Sequence, residues 1–238
     1  NKTFMVDDLI AITGGRNYQD AYFDHAGGMN YKDRDILVLG PVVREMKASF
    51  LDYWEFELSV SLDRLTDVRR QKKRGKVKFW ATRESFRIDD LFGKIDADTA
   101  NDDLIGERFV EPLTALESAC FVADDPGKNE HNLTGEDAAS RITLKLADLV
   151  ARAEDSIYIQ TPYLVLTPAA INLFRSIREE SPEIDISIST NSLAATDSWH
   201  VYALSYKQMQ TYLQTLGFRI YEFKPVPADL SLLAPDPV

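Results

Sequence analysis

Residues 156–191 read SIYIQTPYLVLTPAAINLFRSIREESPEIDISISTN, and the periodicity of this stretch decides the class of fold. Ser156-Ile157-Tyr158-Ile159-Gln160 alternates apolar and polar side chains with the period of two that a strand requires. Residues 168–180 change to helical spacing, and Pro168 falls in the first turn, where a missing N–H leaves no bond unmade. Ile184-Asp185-Ile186-Ser187-Ile188-Ser189-Thr190 then returns to alternation. A helix between two strands is the crossover that parallel pairing needs. Working outward, residues 138–153 read as an amphipathic helix before this unit. Residues 202–215 form another after it, with Gly217 as its C-terminal cap and Phe218-Arg219-Ile220-Tyr221-Glu222-Phe223 as the next strand. The class is therefore α/β: mixed, largely parallel sheets with flanking helices, in one sheet or two related ones.

Towards the N-terminus, residues 3–15 read as two apolar strands around Asp7-Asp8, ending at Gly14-Gly15, and a hairpin is the economical arrangement. Asp35-Ile36-Leu37-Val38-Leu39 is a further strand stopped by Gly40-Pro41, and residues 42–58 carry helical spacing. Residues 60–115 are highly charged and read as a helical or irregular insertion. Residues 118–128 read as a short strand ending in a turn, followed by a polar loop to Thr134. After Lys224 the prolines Pro225, Pro227, Pro235 and Pro237 leave no regular pattern.

With 238 residues, 45% of them hydrophobic, the chain can bury a sizeable core. No apolar run approaches the roughly 18 residues of a membrane-spanning helix. No secretory or transit signal is read at the start, since Asn1-Lys2-Thr3-Phe4 leads straight into a strand pattern, and a start without Met reads as a processed or excised segment. Cys120 is the only cysteine, which excludes an internal disulfide, and His25, His131 and His200 lie too far apart for a local metal-ligand spacing. His200, after Trp199 in a loop before a helix, reads as an exposed or capping histidine. The net charge of −11 argues against a general nucleic-acid coat. One run opposes it: Arg69, Arg70, Lys72, Lys73, Arg74, Lys76 and Lys78 fall within ten positions. Such a run is either a solvated loop or a contact for anionic headgroups.

The residues that carry chemistry lie on the hairpin. Lys2, Asp7, Gly14, Gly15 and Asn17 stand at the offsets Lys, four residues, Asp, six residues, Gly-Gly-Arg-Asn. Alternation on a strand points Lys2 to the same face as the residue two before it. Lysine supplies a point charge for phosphate oxygens, Asn17 a neutral amide donor, and Gly14 and Gly15 permit close backbone approach. Asp7, which can only accept when ionised, suits the orientation of an imidazolium. Taken singly, Lys-x4-Asp and a Gly-Gly turn are ordinary; the complete set of offsets is specific.

That set resembles the second part of the phospholipase D superfamily signature, His-x-Lys-x4-Asp-x6-Gly-(Gly/Ser)-x-Asn, whose histidine would stand immediately before Asn1. Other segments are similar to the same family in the same order. They are Tyr31 to Val43 with Phe50 and Tyr53-Trp54, Ala123-Asp124-Asp125-Pro126-Gly127-Lys128, Gln160-Thr161-Pro162-Tyr163-Leu164, and Thr190-Asn191-Ser192-Leu193-Ala194-Ala195-Thr196-Asp197. The last of these, and Gly40-Pro41-Val42-Val43, look most like the cardiolipin-synthase branch. The resemblance implies two related halves, each giving a His-Lys-Asp motif to one cleft, with Thr161 and Tyr163 beside it. Tyr163 is otherwise simply an aromatic at a strand end. It also implies residues 1–58 as part of the first half, 59–117 as a connecting region, and 118–238 as part of the second half, short of its motif. One histidine would attack phosphorus, the other would protonate the leaving alcohol, and no metal or cofactor would be needed.

The expected activity is phosphatidyl transfer between phospholipids, with residues 1–238 inactive by themselves because neither motif histidine is among them. Phospholipid hydrolysis, a phosphodiesterase or nuclease of the same superfamily, and a non-catalytic fragment are the alternatives. The expected partners are a phospholipid substrate and an anionic membrane surface contacted through Arg69, Arg70, Lys72, Lys73 and Arg74, with no nucleic acid. The expected location is peripheral, at a bacterial inner membrane.

Overall fold

A computed structural model describes residues 2–23, 30–75, 89–127 and 140–225. His25, His131, Lys76, Lys78, Lys128, Thr134, Pro227, Pro235 and Pro237 lie outside the described residues. The chain divides into two compact units. One holds residues 3–12 and the described parts of 37–121; the other holds Lys2 and the described parts of 13–36 and 122–238.

The chain opens with β1 (Thr3–Val6) and β2 (Ile10–Gly14), followed by β3 (Asp35–Leu39), in a sheet of order β1-β2-β3. Asp7 and Asp8 make the β1–β2 turn with φ of 52° and 59°, the left-handed region that Asp tolerates better than most residues. Antiparallel pairing is evident from the two ends. The Leu9 N–H donates to Val6 O at 3.1 Å beside the turn, and Gly14 N–H to Lys2 O at 3.4 Å at the far end. In the first unit, Ala11 faces the helix α1 (Val42–Glu55) and is buried with Val43 and Met46, against Met5, Val38, Val42 and Phe121. Ile10 and Ile12, one residue to either side of Ala11, are exposed, as strand alternation dictates. The Lys47 Nζ to Asp8 Oδ2 contact of 2.6 Å joins the hairpin turn to α1.

The charged region contains α2 (Thr66–Lys73), α3 (Asp89–Thr99) and α4 (Asp102–Ile105), the last continuing as a wider turn through Gly106–Val110. One expectation changes here, and one is narrowed. No strand forms among the described residues of 118–128; the Phe121 N–H donates to Glu45 Oε2 at 3.0 Å, so a side chain on α1 takes the donor that a neighbouring strand would have used. Within the basic run, Arg69 to Lys73 lie on α2. Arg70, Lys72 and Lys73 sit in its last turn, where they meet the negative end of the helix dipole, and Gly75 follows at φ 62°.

In the second unit α5 (Arg141–Ala151), β4 (Ser156–Gln160), α6 (Pro168–Glu180), β5 (Asp185–Asn191), α7 (Trp199–Gln210) and β6 (Arg219–Phe223) follow in order. β4, β5 and β6 are parallel, with Ile157 opposite Ile186 and Ile188 opposite Ile220. β5 is central and carries Ile186, Ser187 and Ile188 buried in succession, because a central strand is covered on both faces. Phe174, Ile177, Tyr212, Leu216 and Phe218 complete this core. The helices start and stop for local reasons. Thr167 Oγ1 accepts from Ala170 N–H at 3.2 Å ahead of Pro168, Ser140 Oγ caps α5, and Gly217 takes φ 63° after the last turn. Asp124 Oδ1 accepts from Ile142 N–H at 3.2 Å, and Asp125 pairs with Arg141 at 2.8 Å, which ties the segment before α5 to its first turn. α7 begins at Trp199, so His200 is helical, with its ring against that of Trp199.

Ile188 is 1% exposed, with neighbours on both faces that cannot close over a void. Replacing it by Ala is expected to destabilise this unit by about 2–5 kcal/mol, read as an earlier urea midpoint at unchanged slope. A loss under about 1 kcal/mol would show that the sheet is covered less closely.

Candidate functional site

The Gly14–Asn17 loop leaves the end of the hairpin opposite its turn, and its shape is set by one cation and two carboxylates. Arg16 Nε meets Asp35 Oδ2 at 2.6 Å, Nη1 donates to Tyr22 O at 2.9 Å, and Nη2 to Asp33 O at 3.1 Å. A Cβ on Gly14 would collide with the Asp35 carboxylate, and one on Gly15 would stand 2.5 Å from Asp33 Oδ2. The sequence suggested glycine here for close approach of a phosphate. What the structure brings against these two backbone positions is the Asp33 and Asp35 side chains, and Arg16 holds the Asp35 carboxylate and the Asp33 carbonyl.

Lys2 Nζ reaches across the hairpin end and donates to Gly15 O at 2.5 Å. Asn17 Nδ2 donates to Tyr22 Oη at 3.0 Å. Lys2 and Asn17 thus belong to one loop. Asp7 does not join them: it sits in the β1–β2 turn, with the whole of β1, about 13 Å of strand, between it and Lys2. Orienting an imidazole beside Lys2 from there would require the carboxylate to reach along that length.

Within the same unit the loop continues into an aromatic cluster. The Tyr22 and Tyr31 rings lie 4.7 Å apart. The negative charge of Asp197 first, then burial and the neighbouring Tyr22, raises the pKa of the Tyr31 phenol. Tyr163 Oη donates to the same carboxylate at 2.5 Å. That hydrogen bond first, then burial and the charge of Asp197, pushes Tyr163 up to about 12. Thr161 serves the strand end: its N–H donates to Ser189 O at 3.0 Å and its Oγ1 accepts from Tyr163 N–H at 3.3 Å.

Asp197 and Tyr163 stand in loops beyond the carboxyl ends of β5 and β4, the edge at which open parallel sheets receive ligands. A shallow recess at that edge is lined by Tyr163, Thr190, Asn191, Thr196, Tyr202 and Ser205 among others. Thr190 and Ser205 are buried hydroxyls within it, and the Tyr202 phenol, raised by burial and by its 3.0 Å bond to Glu222, stays protonated at neutral pH. The chemistry available is a cation at Lys2, an amide at Asn17, and neutral hydroxyl donors along the sheet edge. Among the described residues no three His, Cys, Asp or Glu side chains form a group able to hold a metal ion. No helix among them is long and apolar enough to cross a membrane.

Arg16, Tyr22, Tyr31 and Asp197 are the participants that sequence spacing does not assign. Tyr31 and Asp197 fall within segments that resemble the phospholipase D superfamily, yet nothing local gives them roles.

The Tyr163–Asp197 bond has a measurable consequence. A phenol whose folded pKa exceeds its unfolded value of about 10 stabilises the fold below pH ~10, and that contribution is lost as pH rises from ~10 towards the folded value of about 12. Carbon-13 tyrosine spectra are expected to show Tyr163 titrating near the upper figure, and Asp197→Ala to bring it back towards ordinary tyrosine. An ordinary titration in the unaltered protein would mean the contact is not kept in solution.

Comparison with known proteins adds a second line. The sequence is 31% identical over 234 residues to a Helicobacter pylori (strain J99 / ATCC 700824) protein described as uncharacterized, taking in 94% of this chain and 43% of that protein. A second, from Helicobacter pylori (strain ATCC 700392 / 26695) and described in the same way, is 28% identical over 233 residues, with 94% and 43% covered. The chain is also similar to cardiolipin synthase C. That Escherichia coli (strain K12) protein is 29% identical over 238 residues, a match that takes in 98% of this chain and 48% of the synthase. The chain thus spans a little under half the length of the curated relatives it matches. No family model matches it, and no solved structure matches it.

Proposed function

We propose that this chain supplies one phosphate-binding motif of a phospholipase D-like phosphatidyltransferase, working on phospholipid phosphodiesters through a phosphohistidine. The observation that carries the reading is the joining of Lys2 and the Gly-Gly-Arg-Asn loop at one hairpin end. Similarity to cardiolipin synthase C along nearly the whole chain supports it.

In this reading Lys2 exchanges its bond to the Gly15 carbonyl for a phosphate oxygen. The exchange is favourable because the phosphate oxygen carries a full opposite charge where the carbonyl offers only a dipole. Asn17 donates its second amide hydrogen to another phosphate oxygen. A histidine two residues before Lys2 would share its face, attack phosphorus, and release the leaving alcohol as its P–O bond breaks. The second histidine gives that alcohol its proton, then takes one from the acceptor hydroxyl, whose oxygen displaces the first histidine as the P–N bond breaks. Asp7 is assigned to the hairpin turn, and Gly14 and Gly15 to packing beneath the loop. Thr161 and Tyr163 border the cleft from the sheet edge. Arg69, Arg70, Lys72 and Lys73 on α2, with Arg74 just after it, would contact an anionic bilayer from the periphery of a bacterial inner membrane.

The test is product analysis with a chain extended to carry both motif histidines. Mixed micelles of phosphatidylglycerol and phosphatidylethanolamine are expected to yield cardiolipin in EDTA, and neutralising the α2 cations to weaken retention on phosphatidylglycerol vesicles in low salt. Phosphatidic acid as sole product would replace transfer by hydrolysis, and cleavage of oligonucleotides with lipids untouched would overturn the reading.

A further inference from the structure

The core face of β5 ends in hydroxyls. Ile186 and Ile188 pack with Phe174 and Tyr212, and by strand alternation the next residue on their face is Thr190, which is 6% exposed. On α7 the buried residue is Ser205, at 5%. Both line the recess at the sheet edge, and neither side chain has a hydrogen-bond partner among the described residues. Ser192, one residue beyond Asn191 in that lining, also has its Oγ buried and unpartnered. Burying a hydroxyl without a partner costs its full desolvation, and Val and Ala would fill the two places without that cost. A sheet edge that forgoes such stability does so most often for a ligand.

We propose that this recess is a subsite for the neutral hydroxyls of a substrate headgroup, the glycerol of phosphatidylglycerol, with Thr190 and Ser205 as the residues that select it. The inference rests on the reading of the chain as phospholipid-binding and adds the residues that tell one headgroup from another. The chemistry of the lining decides the class. A phosphate is disfavoured, because no Lys or Arg lines the recess and its two phenols are bonded to carboxylates, Tyr163 to Asp197 at 2.5 Å and Tyr202 to Glu222 at 3.0 Å. An ammonium has donors only, so it would leave the Thr190 and Ser205 protons without acceptors. An alcohol both donates and accepts, as those two side chains do, and meets them without bringing a charge out of water.

The test uses residues 1–238 and two lipids below their micellar concentrations. One is dihexanoylphosphatidylglycerol; the other is dihexanoylphosphatidylpropanol, which matches it in charge and carbon count and lacks both headgroup hydroxyls. Phosphatidylglycerol is expected to bind about tenfold more tightly, and Thr190→Val with Ser205→Ala to abolish that preference by weakening phosphatidylglycerol alone. The same double variant is expected to keep or raise the urea midpoint, whereas hydroxyls needed only for the fold would lower it when removed. Where the double variant does not fold, by circular dichroism, Ser205→Ala alone decides on the same comparison. Equal binding of the two lipids by the unaltered chain, or a preference that survives the substitutions, would overturn the subsite. If neither lipid binds, or binding of both ignores Asn17→Ala, the phosphate reading falls instead. The recess is then decided with glycerol alone: a shift of the Thr190 methyl resonance that Ser205→Ala reduces supports it, and an unmoved resonance overturns it.

Discussion

Lys2→Ala, in a chain extended to carry both motif histidines, is expected to lower turnover of phosphatidylglycerol by about 10²–10³ with little change in fold. Lys2 is exposed and makes one side-chain bond, to Gly15 O, so its loss costs the folded state about 1 kcal/mol at most. The effect on chemistry is larger because charge accumulates on the phosphate oxygens as the incoming group approaches, and a preformed cation there stabilises the transition state more than bound substrate. The loss should therefore fall on kcat more than on KM, and Lys2→Arg should keep part of the activity. Measured initial rates of cardiolipin formation across substrate concentration separate the two. A threefold effect or less, or one confined to KM, would leave Lys2 as a surface residue of the hairpin.

The contrast with Asp7 shows how far the sequence could be read. Offsets along the chain put Lys2, Asp7 and Asn17 in one motif, and the local geometry of a hairpin then separates them: a turn at one end keeps Asp7, and the strand carries Lys2 to the other. Elements with strong local signals were legible. Pro168 in a first turn, strict alternation in β5 and Gly217 after a helix each fix an element by themselves. The basic run was not, because Arg69 to Lys73 look the same as a solvated loop or a short helix until the last-turn cations meet the helix end. The segment around Phe121 has the apolar content of a strand, but no neighbouring strand among the described residues offers it an edge and Glu45 takes its N–H. Asp197 was illegible for a different reason: its partner Tyr163 is distant in sequence, and no period or spacing links the loop after β4 to the loop after β5.

The second large effect concerns the nucleophile. Residues 1–238 hold Lys2 and Asn17 without a histidine at the motif position, so by themselves they are expected to bind phospholipid and not to turn it over. An extended chain with a histidine two residues before Lys2 and a second His-x-Lys-x4-Asp motif is expected to recover turnover that chelation does not reduce, since the lysines and asparagines of two motifs hold the phosphate charge. The most direct measurement is a single-turnover reaction with phosphatidylglycerol labelled in its phosphatidyl group, run in EDTA and quenched by denaturant. The account predicts label covalently attached to a histidine of the extended chain, chased into cardiolipin when acceptor is added, with no attachment to residues 1–238 alone. Turnover with no labelled protein at any time, or turnover abolished by chelation, would contradict it.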